Sequence, residues 1–467
     1  MNLRTIDDLP APPVSGLLGH LKDAKSPDAH RCYQAWAEAF GGLYRLRLAH
    51  KKMVVVSDRA LVHQLLKERP ECFRRHHKIE AVFEDLGVNG IFSAEGEEWQ
   101  QQRALFNPVF NGANIRYFFP VISELTDRLT SKIGKLAVQQ KPEDVKRLFA
   151  EYALDIISSL AFAYDMNSLS GKADSFHEDL SAVFPGINAR LMAPLPLWKI
   201  YKTPKDKKLE KGMSRIKIFL NQRIEETKNK LHMKPELREK PENLLQALVA
   251  EAAKDQSSMN SSRVLANAVT IMLAGEDTTA NSLAWLTHLL SIHPDIQADL
   301  RQEVLAFSDA DFDRWPLPKT PLMNACIHES MRMKPVAPFL YATANNDTVL
   351  GNLAVPKGVM LLVLTSHLSN DEKAFPDADT FNPYRWLGDN PAKIGNMVPF
   401  GGGARVCPGR SLAMVEMKLA MSRLLRRVEL KPADGGTPRE RFDFVMMPDN
   451  LMIRFSALTN LKVAETA

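Results

Sequence analysis

Cysteine is scarce in this sequence, with four residues among 467. Cys32, Cys72, Cys326 and Cys407 lie far apart, and no two of them form the CxxC spacing of a zinc site. Disulfide frameworks belong to small secreted domains and structural zinc needs clustered ligands, so neither fits this chain. We therefore expect free thiols and a reducing compartment.

The sequence also lacks a large charge excess and a long apolar run. Lys and Arg number 60 and Asp and Glu 55, a net charge of +5, which is too small for a protein that coats nucleic acid. No run reaches the ~18 apolar residues of a transmembrane helix. Glu276 and Asp277 interrupt the longest candidate, 264–290, and the N-terminus lacks the apolar core of a signal peptide. We expect a soluble cytoplasmic protein without a transmembrane anchor or a nucleic-acid partner.

The pattern along the chain is mainly helical. Hydrophobic residues make up 45% and charged residues 25%, which is ordinary for a globular chain. Residues 43–56 alternate as a β-hairpin does, and helical periodicity then dominates as far as residue 305. Residues 341–364 look like strands and turns, and 411–427 are helical again. The predicted fold class is mainly α with a small β region.

A basic stretch occupies 202–217, where seven Lys or Arg residues accompany only two acids. A charge run of this kind is typical of a solvated helix end. The alternative is a surface that touches anionic lipid or a partner protein, which leaves peripheral membrane contact open.

The most informative stretch is PFGGGARVCPGRSLA at 399–413. Its three consecutive glycines let the backbone approach a flat partner closely, and Phe400 can cover the cysteine sulfur. Cys407 lies just before a predicted helix N-terminus, where unpaired N–H groups and the nearby Arg405 stabilise a thiolate. Such a loop can hold a thiolate as a metal ligand; a glycine-rich turn with a buried cysteine is the alternative.

The pattern F-G-G-G-x-R-x-C-x-G, from Phe400 to Gly409, resembles the haem-binding loop of the cytochrome P-450 family of haem-thiolate monooxygenases. The resemblance implies haem b with Cys407 as the ligand of its iron, and Phe400 and Gly409 beside it.

Length alone would allow about three domains of roughly 150 residues. The resemblance instead implies one haem domain over 1–467, in the family fold, with a long central helix over the haem and the cysteine loop beneath it. Its parts would be a Pro-rich segment with the first helix at 1–40 and a β-hairpin at 43–56. The central oxygen-activating helix would lie at 264–292, and the cysteine loop with its following helix at 399–427.

A second motif, AGEDTT at 274–279, lies inside the central apolar helix. Acids there are costly without a purpose, and a threonine hydroxyl can bond to the carbonyl four residues back and bend the helix. We expect Gly275 to let a ligand approach the helix axis. By the resemblance, Ala274 would contact the haem, Thr278 would hold water or peroxide, and Asp277 would feed protons to bound dioxygen. A polar kink packed against another helix is the alternative.

Glu329 and Arg332 are three positions apart and share one helical face. An ExxR pair by itself is commonly a surface ion pair. By the resemblance, the pair joins Arg385 in a structural triad that fixes the irregular segment before the cysteine loop. Tyr384 stands where the family usually has Glu, but the arginine and Trp386 are kept.

Trp99 and Arg103 also share a helical face, and the resemblance assigns both, with Arg405, to the haem propionates. An indole N–H and a guanidinium suit a carboxylate, although a packed Trp beside a surface Arg is the simpler alternative. Many family members supply a further arginine from the strand after the ExxR helix, and the matching region 339–344 has none. That charge is expected from one of three basic residues: Arg74, Arg75 or His76.

The implied activity is insertion of one oxygen atom of O2 into a C–H bond, with electrons from NAD(P)H. No GxGxxG segment with strand–helix context is present, so a separate ferredoxin or flavodoxin with its reductase is the expected donor. An acidic carrier would suit a basic face around the cysteine loop, where ordinary solvated charges are the alternative. The candidate residues of that face are Arg410, Lys418, Arg423, Arg426 and Arg427.

The substrate is weakly encoded. By family position the pocket would be mainly apolar, which suits a hydrophobic small molecule such as a fatty acid, terpenoid or steroid. A haem-thiolate isomerase or peroxygenase is one alternative, disfavoured by the acid–Thr pair, and a non-catalytic haem sensor is the other. The predicted pocket residues are Phe92, Ala274, Val336, Ala337, Phe339 and Met447.

Overall fold

The computed structural model describes residues 3–14, 16–193, 195–254, 259–389, 391–433 and 437–458. Helices dominate these ranges and are joined by short 3-10 turns. In chain order, helices α1 to α17 are Leu21–Ala24, Ala29–Phe40, Arg59–Lys67, His77–Asp85, Gly96–Val109, Gly112–Gln139, Val145–Phe162, Asp174–Met192, Pro204–Met233, Glu236–Glu239, Leu244–Ala252, Ser261–Ile292, Pro294–Leu305, Asp309–Phe312, Pro321–Met333, Thr365–Ser369 and Arg410–Leu425.

The strands are short and form four small sheets in the described residues. The largest sheet has the order β1-β2-β8-β5-β3, and the others pair β4-β12-β9, β10-β11 and β6-β7. In chain order, strands β1 to β12 are Leu43–Leu48, Lys51–Val56, Phe73–Arg75, Pro142–Asp144, Leu340–Ala344, Thr348–Leu350, Leu353–Val355, Met360–Val363, Val428–Pro432, Arg439–Asp443, Val445–Asp449 and Met452–Ala457. The predicted class, mainly α with a small β region, is confirmed.

Helix α12 is the central element of the fold. It begins after Asn260, whose side-chain oxygen accepts the backbone N–H of Arg263, and it gives way to α13 at Pro294. Most of its side chains between Val264 and Ser291 are buried, because other helices surround it. An apolar helix that is covered on all sides belongs to the core of a large protein, which is why its few polar residues carry information.

The five-stranded sheet positions one end of the site. Strands β1 and β2 form an antiparallel hairpin in which Leu43 faces Val56. Strand β3 lies at the far edge and pairs with β5, so that Arg75 stands opposite Ala342. The strand that carries no arginine, β5, is therefore hydrogen-bonded to a neighbouring strand that does carry arginine.

Helix α9 contains most of the basic stretch 202–217. Thr203 and Asp206 form a reciprocal capping box at its start. Several cations of the stretch have partners within the chain: Lys202 contacts Glu210, and Arg215 contacts Asp179. Among the described residues, no helix is long and apolar enough to cross a membrane.

Candidate active site

One stripe of α12 stays accessible although the helix is otherwise enclosed. Ala274 is exposed and Thr278 and Ser282 are half-buried, at intervals of four residues that place them on one face. The Thr278 hydroxyl donates to the Ala274 carbonyl oxygen at 2.7 Å, and the Ser282 hydroxyl donates to the Thr278 carbonyl at 2.9 Å. This accessible stripe of one alanine and two hydroxyl residues is available to contact a bound group.

Gly275 has a different role from the predicted one. A Cβ atom on Gly275 would lie 2.6 Å from Cγ1 of Ile157, which belongs to α7. The glycine thus allows α7 and α12 to pack closely, and the space beside it is filled by a core side chain. The prediction that Gly275 admits a ligand to the helix axis is wrong.

Cys407 lies at the start of α17, as the sequence predicted. The backbone N–H groups of Gly409 and Arg410 donate to its sulfur, and its own N–H donates to the Phe400 carbonyl at 2.9 Å. The side chain is accessible to solvent, yet protein atoms surround it so densely that desolvation raises the pKa of the thiol. The two N–H donors and the charge of Arg103 oppose that rise, because they favour the thiolate. An accessible atom in dense surroundings lies on the wall of a pocket.

The glycines before the cysteine fix the path of the loop. Gly403 has φ +64°, and a Cβ atom there would lie 2.1 Å from the carbonyl oxygen of Leu66. Any other residue would clash with the end of α3, so the loop passes this point only as glycine.

Three arginines with buried Nε atoms lie around one acid, Glu95, near this loop. Arg405 pairs with Glu95 at 2.6 Å, and the other oxygen of Glu95 accepts the backbone N–H of Arg75 at 3.0 Å. The Nε atoms of Arg69, Arg75 and Arg405 are buried and have no hydrogen-bond partner among the described residues. Burial lowers the pKa of all three, that of Arg405 to about 10, and for Arg75 the charges of the other two add to the effect. We call Arg69, Arg75 and Arg405, together with Glu95, the arginine cluster. Its three guanidinium groups and one carboxylate give it a net charge of about +2.

A buried surplus of positive charge with free donors calls for an anionic partner. Haem b carries two carboxylates, which match the surplus, and the Cys407 sulfur with its two N–H donors suits a thiolate ligand of iron. The open stripe of α12 adds a wall on which only Ala274 and two hydroxyl residues project. The residues present therefore fit a haem group.

Of the other predicted propionate residues, Trp99 lies against the arginine cluster, whereas Arg74 and His76 have partners of their own. Trp99 is buried, and the Arg405 guanidinium lies over its ring at 4.2 Å. Arg74 is paired with Glu80. His76 bonds to the Thr343 hydroxyl at 2.8 Å, and burial lowers its pKa to about 3. Of the three expected candidates only Arg75 joins the arginine cluster, and Arg69 is a member that the sequence analysis missed.

The Glu329, Arg332 and Arg385 side chains meet in the core. Both Glu329 oxygens accept Arg332 nitrogens at 2.9 Å, and the Arg385 Nε donates to Glu329 at 3.0 Å. Trp386 adds its indole N–H at 2.8 Å. Arg332 also donates to the Ser369 and Ala378 carbonyls, which ties the irregular segment to α15. The Tyr384 hydroxyl, at the position of the usual Glu, bonds to Asp299 on α13 instead.

An aromatic cluster closes the pocket region on another side. The ring centroids of Phe92 and Phe444 lie 5.8 Å apart, and the ring of Phe184 on α8 stacks on that of Phe444 with 4.9 Å between the centroids. Phe444 occupies the turn between β10 and β11 with φ +74°, and no sequence pattern marked it. The Arg75 guanidinium covers the Phe92 ring at 3.9 Å, which joins the aromatic cluster to the arginine cluster.

The remaining pocket candidates divide into two groups. Val336 is half-buried, Ala337 is exposed, and Met447 is buried beside the Lys146 ammonium, 2.9 Å from its sulfur. Phe339 instead packs on Tyr33 at 5.5 Å and on Phe442 at 4.5 Å, beneath α2. Its ring belongs to that core cluster, and the structure does not place it with the aromatic cluster at Phe444.

The predicted basic face on α17 is smaller than expected. Arg423 is buried and bonds to Ser123 and Asp127, and Arg426 bonds to Asp309. Lys418 donates to the Pro318 carbonyl. These three cations tie α17 to its neighbours, so the prediction that they form a docking face is wrong; the two exposed cations that remain are Arg410 and Arg427.

Comparison with known proteins places this geometry in a family. The family model for cytochrome P-450 matches residues 9–455, and the chain belongs to that family. A relative, 25-hydroxyvitamin D-1 alpha hydroxylase, mitochondrial, of Rattus norvegicus, is 27% identical over 93% of this chain and 90% of its own. Cytochrome P-450 3A29 of Sus scrofa is 27% identical over 91% of this chain and 84% of its own. Protein LUTEIN DEFICIENT 5, chloroplastic, of Arabidopsis thaliana is 26% identical over 85% of this chain and 69% of its own.

The family defines the class of chemistry. Its members are oxidoreductases that use a haem with a cysteine thiolate ligand, O2, and electrons that reach them from NAD(P)H through redox partners. The protein is thus a cytochrome P-450 monooxygenase.

Proposed function

We propose that this chain forms one haem domain that hydroxylates a C–H bond of a hydrophobic small molecule, with Cys407 as the iron ligand. The observation that carries the proposal is the Cys407 sulfur, which accepts two backbone N–H groups at the start of α17. Those donors stabilise the thiolate without a side-chain base. When bound, the haem supplies the activation of dioxygen.

The arginine cluster and its neighbours would hold the haem carboxylates. Arg405 and Arg75 offer charged N–H donors, and Trp99 supports the Arg405 guanidinium from beneath. Arg103 is placed where its charge acts on Cys407. In a dry site such charge-assisted hydrogen bonds also fix the orientation of the bound group.

Asp277 and Thr278 would manage protons on the distal side. The Thr278 hydroxyl donates a hydrogen bond to the Ala274 carbonyl oxygen, so the lone pairs of its own oxygen remain available to accept a hydrogen bond from water. Burial and the charge of Glu276 raise the pKa of Asp277 to about 7, so at pH 7 its carboxyl is protonated in about half of the molecules. A neutral carboxyl can donate that proton, which an ionised one cannot.

The lining of the pocket supports an apolar substrate. Phe92, Phe184 and Phe444 offer aromatic surface, and Met447 adds a flexible thioether. Fatty acids, terpenoids and steroids fit such a wall. The name of one relative specifies a vitamin D hydroxylase, which favours a ligand of that size.

A ferredoxin or flavodoxin with its reductase would supply the electrons. Arg410 is exposed three residues after Cys407, and Arg427 is exposed beyond the end of α17. Positive charge at these two points would steer an acidic carrier toward the cysteine side of the domain.

Contact with a membrane surface is a further part of the proposal. Leu195, Leu197, Ile200 and Tyr201 are 60–89% exposed and directly precede the basic stretch 202–217. Apolar side chains beside lysines suit the interface of an anionic bilayer. Location in the cytoplasm stays a prediction from the sequence.

The test is turnover of fatty acids, terpenoids and steroids with NADPH, a ferredoxin and its reductase. Hydroxylated product that requires both O2 and the reductase is the expected result. Product formed with peroxide alone, or an isomerised product without an electron donor, would contradict a monooxygenase. Tight ligand binding without any product would mean a haem sensor.

A further inference from the structure

Two buried acids follow one another on α12. Glu276 is 1% exposed and Asp277 is 7% exposed, in the middle of the core helix. Two neighbouring carboxyls in such surroundings cannot both ionise cheaply, since each is desolvated and each repels the other. Their protonation therefore depends on the cations within reach, and among the described residues only one of the two acids has a cation in contact.

Glu276 is the acid with that cation. Its Oε1 lies 3.1 Å from Nδ1 of His177, which reaches over from α8 with 14% of its side chain exposed. Burial alone would lower the pKa of His177, but contact with Glu276 outweighs it and raises the pKa. The imidazole therefore gains a proton more readily than a free histidine, which favours an imidazolium beside the Glu276 carboxyl. Oε2 of Glu276 and Nδ1 of His177 are both buried without a hydrogen-bond partner in the described residues, so the 3.1 Å contact at Oε1 is a close ion pair and not an aligned hydrogen bond.

The other charged groups around the pair come from α7. Lys146 acts on Asp277, and Glu151 and Arg147 act on His177 with opposite signs. Lys146 favours an ionised Asp277, but it is half-buried and its ammonium lies against the Met447 sulfur. Burial and the adjacent Glu276 charge prevail over it and over His177.

We propose that Glu276, held ionised by His177, is a positioning residue whose negative charge keeps the neighbouring Asp277 carboxyl protonated. The inference rests on the proposed role of Asp277 as proton donor. When Asp277 gives up its proton, its carboxylate stands beside the carboxylate of Glu276. Repulsion between them favours uptake of a proton from the solvent pool by Asp277, so each cycle passes one proton from solvent to the distal side and restores the starting state.

The test is an infrared pH titration of the ferric holoprotein, which follows protonated carboxyl bands independently of turnover. A band that disappears in Asp277→Asn identifies Asp277, and its midpoint in the parent protein should lie near pH 7. In Glu276→Gln the negative charge is gone, so the midpoint should fall by at least one pH unit. Glu416→Gln is the matched control, because Glu416 is also a buried acid with a raised pKa but lies on α17. It should remove a carboxyl band and leave the Asp277 midpoint unchanged.

A second variant protects the test against misfolding of Glu276→Gln. His177→Gln deprives Glu276 of its cation, so Glu276 should take up a proton and add a further carboxyl band to the spectrum. An Asp277 midpoint that stays in place in Glu276→Gln would overturn the inference, as would the absence of a new band in His177→Gln. The pH profile of coupling between NADPH use and product tests Asp277 separately: a shifted infrared midpoint with an unshifted profile keeps the role of Glu276 and refutes proton delivery by Asp277.

Discussion

Arg75→Met is the substitution that separates haem binding from folding most cleanly. It removes one charge of the arginine cluster, whose net charge falls from about +2 to about +1 while the haem still brings two carboxylates. A hydrogen bond to a charged group contributes about 1.5–3 kcal/mol to the free energy of binding. Because each 1.4 kcal/mol changes a binding constant tenfold, the variant should lose haem roughly 10- to 150-fold faster than the parent protein.

The same substitution should have the opposite effect on the haem-free protein. There Arg75 is a desolvated cation, repelled by Arg69 and Arg405, with Nε unpaired. Replacing a buried charge by an apolar side chain is often stabilising by about 1–4 kcal/mol. Loss of the cation–π contact with Phe92 offsets about 1 kcal/mol of that gain. The free energy of unfolding of the haem-free variant should therefore be equal to or higher than that of the parent.

Two measurements on matched variants check this reasoning. Haem transfer to excess apomyoglobin gives the rate of loss, and urea unfolding gives the stability of the haem-free chain. Arg74→Met is the control, because Arg74 is paired with Glu80 and lies outside the arginine cluster. If Arg75→Met weakens haem retention and haem-free stability together, or if both variants behave alike, Arg75 has a structural role and the argument fails.

Three further substitutions test other parts of the site. Thr278→Ala should retain haem and divert electrons to released peroxide, because the distal hydroxyl is gone; coupling of NADPH use to product equal to that of the parent would refute the role of Thr278. Glu329→Ala leaves buried guanidinium groups unpaired, which costs about 3–5 kcal/mol, and should abolish haem-loaded protein; a stable, haem-loaded variant would disprove the structural triad. Gly275→Ala should destabilise the fold by about 1–3 kcal/mol through overpacking against Ile157. In a double-mutant cycle with Ile157→Ala the combined loss in urea unfolding should be smaller than the sum, and strict additivity would show that the two residues do not interact.

Local sequence was sufficient where the chemistry depends on a few consecutive residues. The two N–H groups that favour a Cys407 thiolate belong to Gly409 and Arg410, only two and three residues further on, so the loop pattern predicts them. Glu329 and Arg332 are only three residues apart on a helix, so their contact is also predicted from local sequence. The cap of α12 at Asn260 and its stop at Pro294 are likewise local signals.

Partners that are distant in the chain could not be predicted. Arg423 looks like an exposed cation in sequence, but its partner Asp127 lies 296 positions away. Gly275 can serve a ligand or a neighbouring helix, and only the position of Ile157 decides between them. Arg69, Phe444 and His177 join the site through tertiary packing, since no motif surrounds any of them.

The visible spectrum of the dithionite-reduced protein with and without carbon monoxide shows whether Cys407 binds the haem iron as a thiolate. We expect the red-shifted Soret band of a haem with a thiolate ligand, and its loss in Cys407→His. A Soret band at the position typical of imidazole or neutral thiol ligation in the parent protein would show that Cys407 is not a thiolate ligand, and oxygen activation at this site would be contradicted with it.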